Sequence, residues 1–238
     1  DMINLELSII NGFDTTGIYY VVDSQVDQID LSSTSFNGLG TKDNPFKGNF
    51  NGNYANFNLN MNKLTDYTGL FNYTGESSVI YKLSVSGFIK AKDYVGSIVG
   101  YNLGLIYEAY STANIEAHNY VGGIVGYNSG EVKNIYKIND QVANNGNYIG
   151  GLAGYNAGYM NDGYVNGDTL GMNYIGGIIG SNQGTLNNLY YNNSNQNIDT
   201  NLNKPSQAVG NQIDNDTVKG LDRLNLIGLN IIGTSDTQ

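Results

Sequence analysis

The sequence predicts an all-β fold, a parallel β-solenoid of about five coils of 26–28 residues. Three observations carry that expectation. Residues 67–193 write one phrase four times, YVGSIVGYNLG from Tyr94, YVGGIVGYNSG from Tyr120, YIGGLAGYNAG from Tyr148 and YIGGIIGSNQG from Tyr174, with a worn copy, YTGLFNYTG, from Tyr67. The starts lie 27, 26, 28 and 26 residues apart, the spacing of stacked units that cannot bury an apolar side alone. Composition agrees: 32 Gly and 20 Tyr against 2 Pro, with Ala and Leu sparse, favours short strands and tight turns over long helices.

Residues 1–66 read as an N-terminal capping segment of the solenoid. Leu5, Leu7 and Ile9 alternate as in a strand, and Asn11-Gly12 follows as a turn. Residues 18–22 (IYYVV) make a short strand of the buried type. Ile29 and Leu31 come next, among polar neighbours. Phe57, Leu59 and Met61 then alternate with asparagines, the period of a half-buried strand, after bends at Gly48 and Gly52.

In the repeats, with the first tyrosine as position 0, Gly recurs at 2 and 6, Ile or Leu at 4, Tyr (once Ser) at 7, Asn at 8 and Gly at 10. The β-branched run 121–125 is too short and too glycine-bounded for a helix and is a strand. Asn-x-Gly at 8–10 is a turn, since both residues accept positive φ. Position 12 (Ile106, Val132, Met160, Leu186) opens a second strand ending at a tyrosine at 16, and a looser third side absorbs length variation such as 141–147. Like residues should then lie about 4.8 Å apart in successive coils.

Position 14 is always polar (Glu108, Asn134, Asp162, Asn188) and 15 mostly apolar (Ala109, Ile135, Gly163, Leu189), so a bend at 14 should put 15 inside. Tyr110, Tyr136, Tyr164 and Tyr190 at position 16 should then form an outer column. Residues 194–238 break the pattern: an Asn-rich connector leads past Pro205 to a strand-like run, 224–232, expected to cap the stack or serve its assembly.

The repeat resembles the GLUG motif of bacterial surface proteins. Gly123-Ile-Val-Gly126, Gly151-Leu-Ala-Gly154 and Gly177-Ile-Ile-Gly180 fit its hallmark, and Ser97-Ile-Val-Gly100 departs at one glycine. The preamble Asn44-Pro-Phe-Lys-Gly48-Asn-Phe-Asn-Gly52 resembles the family's too, with Asn51 for the usual Asp. Members are adhesins, filamentous-haemagglutinin-like exoproteins and the stalks of immunoglobulin A1 metallopeptidases. The resemblance implies a right-handed β-helix outside the cell and transfers no catalytic residue. The peptidase relatives' His-Glu-x-x-His is absent, and His118 is the sole histidine.

A net charge of −10 repels phosphate backbones, which argues against nucleic acid as a partner. No apolar run is long enough to span a membrane, no signal peptide is visible where the sequence opens with Asp1-Met2-Ile3 and neither a basic stretch nor a long apolar run, and no cysteine offers a disulfide or thiolate ligand. No carboxylate column exists for calcium, because Asp93 becomes Asn119, Asn147 and Asn173, and Asp214-Asn-Asp216 lacks the rest of a calcium loop. Neither a metal nor a cofactor is expected. Asn102, Asn128, Asn156 and Asn182 should form an amide ladder at a turn.

The column Tyr110, Tyr136, Tyr164 and Tyr190 is the candidate ligand-binding site, by stacking on sugars, against the plainer role of a structural ladder. Glu116 and His118, two apart, are the weak candidates for catalysis. The expected function is a non-enzymatic adhesin or stalk, secreted or on a bacterial surface, binding host or neighbouring-cell glycan or protein. The alternatives are a self-assembling filament or sheath protomer and a polysaccharide-cleaving β-helix enzyme.

Overall fold

A computed structural model describes residues 2–138, 142–143, 146–167, 169–192 and 211–213. Every pair of its described strands is parallel, and each residue pairs with its counterpart one coil away. Tyr120 follows Tyr94 through the pairs Asn119↔Asp93 and Val121↔Val95, and Tyr127 pairs directly with Tyr101 and Tyr155. The chain is a β-solenoid.

Three faces carry most of the strands, and a row of short ones, Asn114–Glu116, Val142–Ala143 and Thr169–Leu170, continues from residues 88–90. The first holds Asp93–Gly96, Asn119–Gly122, Asn147–Gly150 and Asn173–Gly176. The second holds Phe71–Tyr73, Val99–Asn102, Val125–Asn128, Ala153–Asn156 and Ile179–Asn182. The third is the longest, with Val79–Lys90, Leu105–Ser111, Glu131–Ile138, Tyr159–Asn166 and Thr185–Asn192 in register.

Following this third face from Tyr19 through Asn49, Val79, Leu105, Glu131 and Tyr159 to Thr185 counts six turns rather than about five. The extra coil comes from the N-terminal segment. Tyr19↔Asn49 and Asn49↔Val79 are each thirty residues apart, so this segment is itself wound, at a longer period and without the tyrosine-glycine signature. Within it, Asn56–Asn62 is the expected half-buried strand, with Phe57, Leu59 and Met61 inward.

The core is a set of apolar rows along the axis. Ile98, Ile124, Leu152 and Ile178 make one, and Val99, Val125, Ala153 and Ile179 another, all fully buried. Each buried Val, Leu or Ile in these rows stabilises the fold by about 1.5–3 kcal/mol. The motif glycines have a steric reason. A Cβ on Gly122 would lie 2.5 Å from the Cα of Ala153, and one on Gly126 2.5 Å from the carbonyl carbon of Tyr94. The first and second faces therefore meet backbone to backbone, with no room for a side chain.

The bend at position 14 is a left-handed residue in every coil, with φ of 54° at Lys82, 49° at Glu108, 50° at Asn134, 51° at Asp162 and 48° at Asn188. It reverses the alternation, so Ala109, Ile135 and Leu189 are buried as expected.

Residues 2–10 are not a strand. Met2–Ile10 is an α-helix with Ile9 buried and Met2 and Leu5 packed on the core, while Leu7 and Ile10 are exposed. Met2, Leu5 and Ile9 share one helical face, and that spacing prevailed over the alternation of Leu5, Leu7 and Ile9. A helix also satisfies its own backbone at the open end of the stack. Buried Glu6 fixes it by accepting the backbone N–H of Asn37 at 2.9 Å. The expectations for 194–238 lie outside the described residues, apart from Asn211–Ile213, which continues the third face beside Thr185–Asn192.

Candidate functional site

The third-face tyrosines do form a column. Tyr110, Tyr136, Tyr164 and Tyr190 are in register, and the rings of Tyr136 and Tyr164 stack with centroids 5.3 Å apart. They are not an open platform, however. Tyr136 and Tyr164 are only 8% and 3% exposed, in an apolar cluster with Tyr110, Ile138 and Tyr190 that is separate from the main core. The bend at position 14 turns these rings away from the main core and into this second cluster, where Tyr136 and Tyr164 are buried.

Two other tyrosine columns lie open, and sequence reasoning did not single them out. At position 0, Tyr67, Tyr94, Tyr120, Tyr148 and Tyr174 stack face to face at 4.6–4.9 Å. At position 7, Tyr73, Tyr101, Tyr127 and Tyr155 stack at 4.6–4.8 Å, within 9° of parallel. The columns touch at a steep angle, with Tyr94, Tyr120 and Tyr148 each about 6 Å from position-7 rings. The result is a herringbone strip of nine half-buried rings. The signal was present in the repeat, as two tyrosines seven residues apart on either side of a strand-to-strand turn.

The position-0 tyrosines keep a left-handed backbone, with φ of 54–65° at Tyr94, Tyr120, Tyr148 and Tyr174. Such a conformation costs about 1–2 kcal/mol per residue and persists only where packing imposes it. Here the packing is the stacked ladder. Burial, followed by the charge of neighbouring tyrosines, pushes the hydroxyls of Tyr94 and Tyr101 up to about 12. The same causes raise Tyr73, Tyr120 and Tyr155. Both faces of Tyr94, Tyr120, Tyr148, Tyr101 and Tyr127 are covered by the rings above and below, and only the ends of the two columns keep a face without a tyrosine on it. The strip therefore offers edges and rows of hydroxyls, which suit hydrogen bonding and leave little face for a sugar to stack on.

Two amide ladders flank the strip. The Nδ2 of Asn102 donates to the Oδ1 of Asn128, that of Asn128 to Asn156 and that of Asn156 to Asn182, at 2.7–2.8 Å. Thr74 starts this ladder with a hydroxyl bond to Asn102, and Asn182 ends it on the carbonyl of Gly184. Asp93, Asn119, Asn147 and Asn173 make the second ladder, in which each asparagine donates one coil back.

Glu116 and His118 are not brought together as a catalytic pair. Glu116 holds the Lys90 ammonium at 2.5 Å, whereas the Nδ1 of His118 lies 3.4 Å from Asp93. Glu108 instead accepts from the Tyr54 hydroxyl at 3.3 Å. Among the described residues no three His, Cys, Asp or Glu side chains group as metal ligands, and no helix is long and apolar enough to cross a membrane. Asp214 and Asp216 lie outside the described residues.

An apolar groove of about 680 Å³ opens at the N-terminal end, between the helix (Met2, Leu5) and the first coil (Tyr20, Val22, Ile29, Phe50). Beside it, Tyr19–Val21 pairs only with Asn49–Asn51 among the described strands, and Tyr19 is 74% exposed.

No known family's profile matches the chain, and no curated protein matches it either. Among solved structures it is similar to the crystal structure of a candidate immunoglobulin A1 protease from Bacteroides ovatus. The TM-score is 0.65 at 18% identity, over 90% of this chain and 84% of that one. At that identity the likeness establishes the shared fold. It also overturns the expectation of a non-enzyme, because this fold is found in a protein described as a protease. That expectation rested on a missing His-Glu-x-x-His motif and a single histidine. A fold can gather catalytic groups from distant positions that no local motif announces.

Proposed function

We propose that the chain is the β-solenoid of a secreted or surface-displayed bacterial protein, and that its tyrosine strip recognises a host or neighbouring-cell glycan or glycoprotein. The observation that carries this reading is the strip itself. Nine in-register rings present hydroxyl rows at a fixed repeat beside the more open amide ladder of Asp93, Asn119, Asn147 and Asn173, a polar and periodic surface that fits a partner rich in hydroxyls and amides. The GLUG-like phrase and the solenoid shared with a protein described as an immunoglobulin A1 protease both support it, and they make immunoglobulin A a natural first partner to try.

The test is binding of the full chain to immobilised immunoglobulin A and to a glycan array. Tyr127→Ala and Tyr155→Ala should weaken capture at least tenfold while Tyr110→Ala leaves it unchanged. Equal binding by all three variants, or no binding to either surface, would overturn the reading.

The second reading is a protomer of an extracellular filament, favoured by the apolar groove and the Tyr19–Val21 edge beside it. Concentration-dependent growth of the particle, abolished by Val21→Lys, is its signature.

A further inference from the structure

We propose that the tyrosine strip is a site of oxidative cross-linking, at which one-electron oxidation joins tyrosines of successive coils as dityrosine within one chain.

Geometry supplies the first argument. Tyr94 and Tyr120 lie 4.6 Å apart at 2°, Tyr101 and Tyr127 4.6 Å at 4°, and Tyr120 and Tyr148 4.7 Å at 6°. Parallel, in-register rings set the ring carbon beside each hydroxyl next to its equivalent one coil away. Coupling then needs only a tilt of two exposed edges, with no search through space, and prior orientation is the larger part of what makes such encounters fast. The rings are half-buried, so their edges lie at the surface, where electron transfer to an oxidant outside the protein can occur.

The second argument is the scarcity of competitors. The chain has no cysteine and no tryptophan, and of its four methionines Met61 and Met160 are buried in the core, Met2 is half-buried and Met172 is 61% exposed. Met172 can take up oxygen as a sulfoxide but forms no carbon–carbon link, so one-electron coupling at the surface falls to tyrosine. Contact between the two columns gives a radical formed on one ring an unbroken path of neighbours, from Tyr67 to Tyr174.

The reaction balances with hydrogen peroxide and a haem peroxidase as the oxidising class. Two phenols each give up one electron and one proton, and the two phenoxyl radicals form a carbon–carbon bond between their ortho positions. Each ring then regains aromaticity as the hydrogen on the bonded carbon moves to oxygen. Peroxide takes up the two electrons and two protons and leaves as two waters. The product is a covalent rung between coils, a staple that limits how far a loosened coil can separate.

The experiment treats the full chain, at a dilution where no dimer forms, with hydrogen peroxide and horseradish peroxidase. The expected result is dityrosine fluorescence in a monomeric product. After trypsin, Lys82 and Lys92 separate Tyr67 and Tyr73 from Tyr94 and Tyr101, and Lys133 and Lys137 separate Tyr120 and Tyr127 from Tyr148 and Tyr155, so the links appear as joined peptides two hydrogens lighter than their sum, and fragmentation of each joined peptide places the linked tyrosines. Tyr148→Phe keeps a ring in the stack but removes the phenol, so it should abolish the Tyr120–Tyr148 link and leave Tyr67–Tyr94 intact. Dityrosine found only between chains, links that favour the more exposed Tyr19, or an unchanged link pattern in Tyr148→Phe would each overturn the proposal. The outcome is independent of whether the strip binds a glycan or glycoprotein.

Discussion

The side-chain amide of Asn128 is held from both sides: its Oδ1 accepts from Asn102 at 2.8 Å and its Nδ2 donates to Asn156 at 2.7 Å. All three are buried, so removing the middle member leaves a donor and an acceptor with neither partner nor water. Asn128→Ala is expected to destabilise the chain by about 2–4 kcal/mol, since each buried group left unpaired costs about 1–3 kcal/mol. Asn173→Ala, at the exposed end of the other ladder, should cost well under about 1 kcal/mol. Urea unfolding of both variants checks the contrast, and equal costs would deny the buried ladder its stabilising role.

Gly126→Ala tests the backbone contact between the first two faces. The added methyl meets the backbone of Tyr94 and Val95, which cannot swing aside, and about 3 kcal/mol or more of stability should be lost. Gly17→Ala is the control. It has a φ of 73° but open space around it, so only the left-handed penalty of about 1–2 kcal/mol applies. A smaller loss at Gly126 than at Gly17 would mean the faces are not in contact.

Alkali should unfold the protein through the tyrosine strip. In the folded state Tyr94 and Tyr101 sit at about 12, above the ordinary 10.0, so between those values the folded chain holds more protons than the unfolded one. Stability from this source is complete below pH 10 and falls as pH rises towards 12. Absorbance titration should show part of the tyrosinate appearing late and together with loss of β-structure. Smooth ionisation of every tyrosine at unchanged circular dichroism would contradict it.

Lys63 acts in the opposite sense. Burial lowers it from 10.5 to about 8, against the pull of Glu6. Its ammonium donates to the carbonyl of Asn37 and, at 3.3 Å, to Asn72. Because the folded value is the lower one, its contribution is present above pH 10.5 and is lost as pH falls through 8. Relative to Lys63→Met, the unmodified chain should gain stability from pH 8 to 10, the window before the tyrosines intervene. A difference that stays flat with pH would show that Lys63 is not desolvated.

What was legible in the sequence was whatever repeats. The register, the Asn102–Asn182 ladder and the inward turn after position 14 all followed from comparing the same offset in four coils. The polar residue at that offset had to face water, and it does so by adopting positive φ. What was not legible depends on cover and on single copies. Position 16 was rightly turned away from the core, yet no pattern along the chain showed that Tyr136 and Tyr164 would be buried in a second cluster. The N-terminal helix occurs once, so no second copy separated a 3.6-residue period from alternation over nine residues. The first coil, thirty residues long and without the motif, was hidden for the same reason.

The six turns have a consequence for reach. Each consumes 26–30 residues yet lifts the stack by only about 4.8 Å, so the whole rises roughly 29 Å. A single extended stretch of 28 residues would span about 90 Å. This chain therefore invests its length in wall rather than height. Every added coil widens the display by one more tyrosine pair and one more amide while barely moving the far end. Lengthening by whole repeats would multiply weak contacts along a surface, an avidity strategy, rather than carry a distant tip across a gap.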